Sequence, residues 1–346
     1  MTQEQEEKLR QARYHGLVRR VDLYKRDLAK RLVATRRLFK QRVYAVDIHT
    51  HSNYSDGKCT VADNYAFAKN TGLDFLFATD HNSMGQKRMV RKWADASWGQ
   101  EPGIGLHHVG LLCGSRLFRP RHDTVSADFE RARKIAPFVW IPHPVGWYPD
   151  NWYSDEAIEI LWTLGVEFAI EVINGACKVV RAYDAFDAKA VRVWDQLLCD
   201  GRKISALGGS DAHVPEDIGN VWTGVFAARR TAPSIIKALN AGHCFASEAS
   251  LMTFSCSSQP MGSTVRKKKG AKLDLHFRIA DSAGIASIRI VSQGRVVKDV
   301  HTKGRSVVES ALTQKVGANP VYYRLESIAA DDRRAFSTPI YVEPTR

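Results

Sequence analysis

No run of apolar residues in this sequence is long enough to cross a bilayer as a helix, and the first residues are polar and charged where a secretory signal would be apolar. A cytoplasmic chain without a transmembrane segment is therefore expected. The six cysteines, Cys59, Cys113, Cys177, Cys199, Cys244 and Cys256, show no Cys-x-x-Cys spacing, which argues against a disulfide framework, a zinc knuckle or dithiol redox chemistry. Helix breakers are scarce at the start: apart from Gly16, residues 1–42 contain neither glycine nor proline. A basic helical extension is expected there, acids first (Glu4, Glu6, Glu7), with Leu17, Val21, Tyr24, Leu28, Leu32 and Phe39 forming one apolar stripe. That stripe would pack on the main domain or on a second copy of the chain as a homo-oligomer. Nucleic acid or an anionic membrane is supported only by the basic charge of the helix.

What is present is ample apolar material. With 346 residues, 44% of them hydrophobic, the chain has room for a large catalytic domain and a smaller one. The formal charge of +13 favours anionic partners such as a small anionic ester, without naming a chemistry. Strand and helix patterns alternate from 43 to about 250, which predicts an α/β domain. From 251 to 346 short Val-, Ile- and Tyr-rich segments at 271–279, 286–292, 306–312, 321–329 and 335–342 predict a small antiparallel β-sandwich. Arg266-Lys267-Lys268-Lys269-Gly270 is expected to be an exposed loop, and His276 and His301 ordinary residues.

Chemistry concentrates in the first of these regions. Residues two apart share a face of a strand, so Asp47, His49 and His51 point the same way, and Asp56 returns a carboxylate from the Ser55-Asp56-Gly57 turn. His81 ends the apolar run 73–78, and His143 ends the run 137–141 between two prolines. Asp211 and His213, again two apart, follow the run 204–207. Imidazoles and carboxylates delivered together to strand ends suit a divalent metal such as zinc, manganese or iron. The stretch 83–106 is expected to be helix and then loop, and 178–200 a long helix.

The ordered set Asp-x-His-x-His with Ser-Asp-Gly, then Thr-Asp-His, His-Pro and Gly-Ser-Asp-Ala-His resembles the PHP (polymerase and histidinol phosphatase) superfamily. Segments 170–175, 194–198, 238–242 and 335–342 resemble its CehA/McbA-like, carbaryl-hydrolase-like branch. The resemblance implies a distorted (β/α)7 barrel with a C-terminal β-sandwich, one to three divalent ions, and a hydrolase, phosphoesterase first, that uses metal-activated hydroxide. Carboxylic or carbamic ester hydrolysis on the same metals is the alternative enzyme, and a degenerate binding or regulatory protein the non-enzymatic one. By motif it implies that His49, His51 and Asp211 hold one ion, that Asp56, His81 and His213 hold another, and that His143 belongs to a third, with His143 or His213 near the leaving group. The family's bridging glutamate falls at Gly114-Ser115-Arg116. Arginine has no lone pair to offer, so Arg116 is expected to clamp substrate, and His122 to match the histidine that follows. Glu101 and Glu171 are the other carboxylates within reach of that role.

Overall fold

The computed structural model describes residues 3–121, 123–180 and 182–345, with side chains from Arg19 onward. Helix α1 (Gln3–Phe39) forms as the scarcity of breakers predicts and packs along its own chain. Leu28, Leu32 and Phe39 of the stripe are buried. Lys25 Nζ donates to the Ile218 carbonyl at 2.9 Å, while Arg31 grips both carboxylate oxygens of buried Asp281 at 2.8 Å and also reaches Asp331. The helix thus ties the middle of the chain to its C-terminal third.

The chain then alternates through β1 (Tyr44–Asp47), α2 (Val61–Asn70), β2 (Phe75–Ala78), α3 (Lys87–Val90), β3 (Ala96–Gln100), β4 (Gly110–Leu112), α4 (Val125–Arg133), β5 (Phe138–Trp140), α5 (Asp155–Glu159), β6 (Glu167–Asn174), α6 (Ala185–Cys199), β7 (Lys203–Gly209), β8 (Trp222–Val225), α7 (Ala232–Asn240) and β9 (Cys244–Ser247), two-residue pairs and short 3₁₀ turns aside. Two expectations need correction. Residues 178–180 and 182–184 are not helical, because Asp184 caps α6 through a box with Asp187. Within 83–106 the structure places a one-turn helix and then strand β3. Its Ala-Ser-Trp-Gly-Gln sequence has little strand character of its own and is held by pairing with β2 on one side and β4 on the other.

Seven strands form a circuit of pairings. β1–β2–β3 are parallel, β3–β4–β5 antiparallel, and β6–β7 parallel. Single parallel bridges, Ile141 with Ile170 and Thr50 with Ala212, link β5 to β6 and β7 back to β1. Val46, Phe77, Trp140 and Leu207 fill the space between strands, and Ile235, Ile236 and Leu239 of α7 pack against them.

The C-terminal third adds β10 (Leu251–Cys256), β11 (Thr264–Lys268), β12 (Lys272–Ala280), β13 (Ile285–Ser292), β14 (Arg295–His301), β15 (Val307–Lys315), β16 (Val321–Ala329), β17 (Arg334–Ser337) and β18 (Ile340–Thr345). Sheet β10–β12–β15 and a second sheet built on β13 and β16 bury Phe254, Leu275 and Phe277 against Ile288, Ile290 and Leu325. The expected loop at 266–268 is instead the end of β11, which pairs with β18 in parallel, so the sandwich is not wholly antiparallel. Val265 faces inward and Arg266 outward, the usual way an edge strand carries charge. β17 pairs with β9, which makes one sheet run across residue 250. His276 and His301 are exposed. Among the described residues no helix is long and apolar enough to cross a membrane.

Candidate metal centre

The C-terminal ends of the circuit's strands meet at a cluster of histidines and carboxylates. His49 and His51 follow β1, His81 follows β2, Glu101 follows β3, His143 follows β5, and Asp211 and His213 follow β7. His143 and Asp211 adopt positive φ, 28° and 47°. Side chains other than glycine pay for that conformation, and such strain gathers where a side chain must be aimed.

Glu101 stands at the centre. Fully buried, its Oε2 lies 3.0 Å from His49 Nε2 and 3.1 Å from His51 Nε2. Its Oε1 lies 3.0 Å from both His143 Nε2 and His108 Nδ1. Asp211 Oδ1 is 3.0 Å from His51 Nε2 and 3.4 Å from His49 Nε2, and the two Nε2 atoms are themselves 3.1 Å apart. Asp56 closes the more open side, with Oδ2 at 3.2 Å from His213 Nε2 and 3.6 Å from His81 Nε2.

Partners outside this group fix which nitrogen faces inward. His49 Nδ1 lies 2.8 Å from Glu171 Oε1, and a carboxylate only accepts, so Nδ1 carries the proton and Nε2 turns a lone pair inward. His81 Nδ1 likewise donates to the Glu101 carbonyl at 2.8 Å, and His213 Nδ1 to the Asp211 carbonyl at 2.9 Å. Glu171 also accepts from Trp140 Nε1, the His143 amide and Asn174 Nδ2. Gly209 leaves room for this: a Cβ there would sit 2.7 Å from Glu171 Oε1 and 2.8 Å from His49 Cβ. Asp80 accepts from the amide and hydroxyl of Ser52 and the hydroxyl of Ser55, pinning the turn that carries Asp56.

Lone pairs packed at about 3 Å repel unless a proton or a cation lies between them. Burial opposes charge on the imidazoles, yet Asp211 and Glu101 push His51 up to about 9, and Asp211, Glu101 and Glu171 raise His49 well above its usual range. Burial likewise opposes ionisation of Glu101, but His49 and His108 hold it well below the carboxylate range. Buried Glu101 Oε2 and His51 Nδ1 have no hydrogen-bond partner among the described residues. Three overlapping donor sets have ligand atoms close enough to share an ion: His49, His51, Glu101 and Asp211; His51, Asp56, His81 and His213; and His81, Glu101 and His108.

The structure therefore brings together His49, His51, Asp56, His81, His143, Asp211 and His213. It does not bring Arg116 into the group. Arg116 is exposed, and its backbone carbonyl is what binds, accepting from Gln100 Nε2 at 2.9 Å. The central carboxylate comes from Glu101, just after β3, and not from the 114–116 turn, and Glu171 holds His49 from behind. His108, missed in the sequence, occupies the place expected of a following histidine; His122 lies outside the described residues. A signal for both was available, since Glu101 and His108 flank a Gly-containing turn ahead of a clear apolar strand.

One stretch of the chain, residues 197–244, matches the family described as PHP-associated. It includes β7, Asp211, His213 and β8. No curated protein matches the chain. Among solved structures, a two-domain protein from Bacteroides vulgatus, described as containing a predicted PHP-like metal-dependent phosphoesterase, is 17% identical with a TM-score of 0.49, covering 86% of this chain and 95% of that one. PsfC from Pseudomonas syringae is 17% identical with a TM-score of 0.41, covering 57% and 88%. The lesion-specific endonuclease PfuEndoQ from Pyrococcus furiosus is 14% identical with a TM-score of 0.39, covering 57% and 56%. These are likenesses of outline only.

Proposed function

We propose that this chain is a metal-dependent hydrolase of the PHP superfamily acting on phosphate esters. The observation that carries this is the meeting of the inward Nε2 atoms of His49 and His51 with the Glu101 and Asp211 carboxylates at 3.0 to 3.4 Å, an arrangement that a divalent cation satisfies better than protons do. The circuit of seven strands, with two antiparallel neighbour pairs, supports a distorted (β/α)7 barrel. The two face-packed sheets after residue 250 support a β-sandwich unit.

His49, His51, Glu101 and Asp211 would hold one ion, Asp56, His81 and His213 with His51 a second, and Glu101, His108 and His143 would complete a third position. Mixed imidazole and carboxylate donors suit manganese, zinc or iron. Such ions, when bound, neutralise ester oxygens and make a water nucleophile available near neutral pH. The chain's own residues orient and exclude. Glu171, the Glu101 carbonyl and the Asp211 carbonyl hold three imidazoles in one tautomer, and Trp147 stacks on His108 at 5.7 Å and shields that side from water. Asp56 and His213 lie on the more exposed side, where an anionic ester drawn by the basic chain would arrive.

Hydrolysis of carboxylic or carbamic esters by a CehA/McbA-like enzyme is the second reading. It is supported by the resemblance that the segment 335–342 carries, of which residues 335–337 pair with β9.

The test is turnover of bis(p-nitrophenyl) phosphate, p-nitrophenyl phosphate, an aryl acetate and an aryl carbamate by chain loaded with manganese, zinc or iron, beside Glu101→Gln and Asp211→Asn prepared identically. Phosphate-ester turnover that both substitutions abolish is expected. Turnover of the acetate or carbamate alone would move the assignment to the second reading, and no turnover of any ester by metal-loaded chain would overturn the hydrolase.

A further inference from the structure

Strand β6 ends in Asn174, and the turn that follows presses against the strand end that carries Asp211. The Gly175 amide donates to the Gly209 carbonyl at 3.0 Å. A Cβ on Gly175 would sit 2.8 Å from the Ser210 carbonyl oxygen and 3.1 Å from the Ser210 Cα, so the close approach of the two turns depends on glycine. Buried Lys178 locks the turn from its other side. Its Nζ donates to the Asn174 carbonyl at 2.7 Å and reaches Asp184 and Asp187 at 3.0 and 3.1 Å, and Asp187 in turn accepts from the Asn174 amide at 2.9 Å.

This backbone aims the buried Asn174 side chain at two carboxylates. Its Nδ2 lies 2.9 Å from Glu171 Oε2 and 3.2 Å from Asp211 Oδ2, while its Oδ1 accepts from the Ala176 amide at 3.0 Å. Turning the amide over would set its oxygen against two groups that only accept. Both hydrogens of the NH₂ are therefore spent, one on each carboxylate. The consequence falls on Asp211. Its Oδ1 faces the imidazoles, 3.0 Å from His51 Nε2 and 3.4 Å from His49 Nε2, and its Oδ2 is turned to Asn174.

We propose that Asn174 is a positioning residue that holds Asp211 to one-oxygen binding of the ion it would share with His49, His51 and Glu101. This rests on the metal-dependent reading above. A carboxylate free to swing can bring both oxygens to one ion. Held through Oδ2, Asp211 offers only Oδ1, and a coordination position stays free for water or substrate, which is what separates a working centre from a closed structural one. The same NH₂ steadies Glu171 behind His49, so one side chain aligns a ligand directly and a second ligand through its neighbour.

The experiment loads wild type, Asn174→Ala and Asn174→Ser with cobalt, whose visible absorption weakens as its coordination number rises. Serine keeps an oxygen that can accept from the Ala176 amide and is too short to bridge the two carboxylates, so the turn is preserved in at least one variant. Cobalt bound per chain, the visible spectrum and kcat for bis(p-nitrophenyl) phosphate are measured. Both variants are expected to bind as much cobalt as the wild type, to absorb more weakly as Asp211 brings in its second oxygen, and to lose roughly 10–100-fold in kcat, the range for a group that orients a metal ligand. An unchanged or stronger absorption in both variants would overturn the proposal. So would loss of cobalt from both, which would show that Asn174 serves to retain the ion and not to keep Asp211 to one oxygen. The spectrum is read without any ester, which separates the two readings. If the wild type takes up cobalt and hydrolyses no ester while the variants still absorb more weakly, the hydrolase falls and the role of Asn174 stands; if the wild type takes up no cobalt, both fall.

Discussion

Replacing Glu171 by glutamine tests whether the imidazole geometry is held from behind. Glu171 is 1% exposed and all of its neighbours donate: His49 Nδ1 at 2.8 Å and Trp140 Nε1 at 3.2 Å to one oxygen, Asn174 Nδ2 at 2.9 Å and the His143 amide at 3.2 Å to the other. Glutamine has one accepting oxygen and one NH₂, so whichever way it turns, two donors face a third. Asn174 cannot flip to accommodate it without cost, because its own Oδ1 already accepts from the Ala176 amide at 3.0 Å. Two buried donors left unpaired, at about 1–3 kcal/mol each, give a loss of about 2–6 kcal/mol in unfolding free energy. Loss of a carboxylate behind a metal-binding histidine lowers affinity by roughly 10–100-fold. Denaturant unfolding in excess chelator isolates the first quantity, and calorimetric titration with zinc or manganese the second. A Glu171→Gln protein with wild-type unfolding midpoint and wild-type metal affinity would refute the reasoning, because the same four contacts underlie both numbers.

Arg116→Ala should change turnover by no more than about twofold, the scale of an ordinary surface substitution; a loss of two orders of magnitude in steady-state kcat would put Arg116 back at the substrate. Arg31→Ala leaves the carboxylate of Asp281, buried and otherwise accepting only from Ser250 Oγ and the Ala283 amide, without its cation, and urea unfolding should show a loss of about 3–5 kcal/mol. Burial lowers Lys25 to about 7, against the pull of Asp217. Between about 7 and the ordinary lysine range the unfolded chain therefore binds more protons than the folded one, and stability should rise with pH across that window. Unfolding midpoints at pH 7 and pH 9.5 check this, and Lys25→Met should flatten the slope; a midpoint falling with pH in the wild type alone would contradict it.

Local pattern made much of the centre legible. Spacing of two on a strand announced His49 with His51 and Asp211 with His213, and the apolar runs ending in His81 and His143 announced their strands. The helix at the start followed from its lack of breakers, and its stripe is buried at Leu28, Leu32 and Phe39. Glu101 was legible only as a nearby carboxylate. Its strand, Ala96-Ser97-Trp98-Gly99-Gln100, is defined by neighbours far away in sequence, Leu76 opposite Ala96 and Leu112 opposite Gly99, and a strand specified by pairing leaves little trace in its own residues. The same holds for β11, whose run of basic residues looks like a loop until β18 lies beside it. Glu171 had the right residue type but an undetermined direction, since facing a metal and facing the back of a histidine differ by a few ångströms of packing that Gly209 and Trp140 decide. The sequence by itself determined which donors exist and that they end strands; which carboxylate stands among the histidines and which stands behind them was decided by tertiary pairing, because register between distant strands, unlike spacing along one, is set by contacts that form only when the chain has folded.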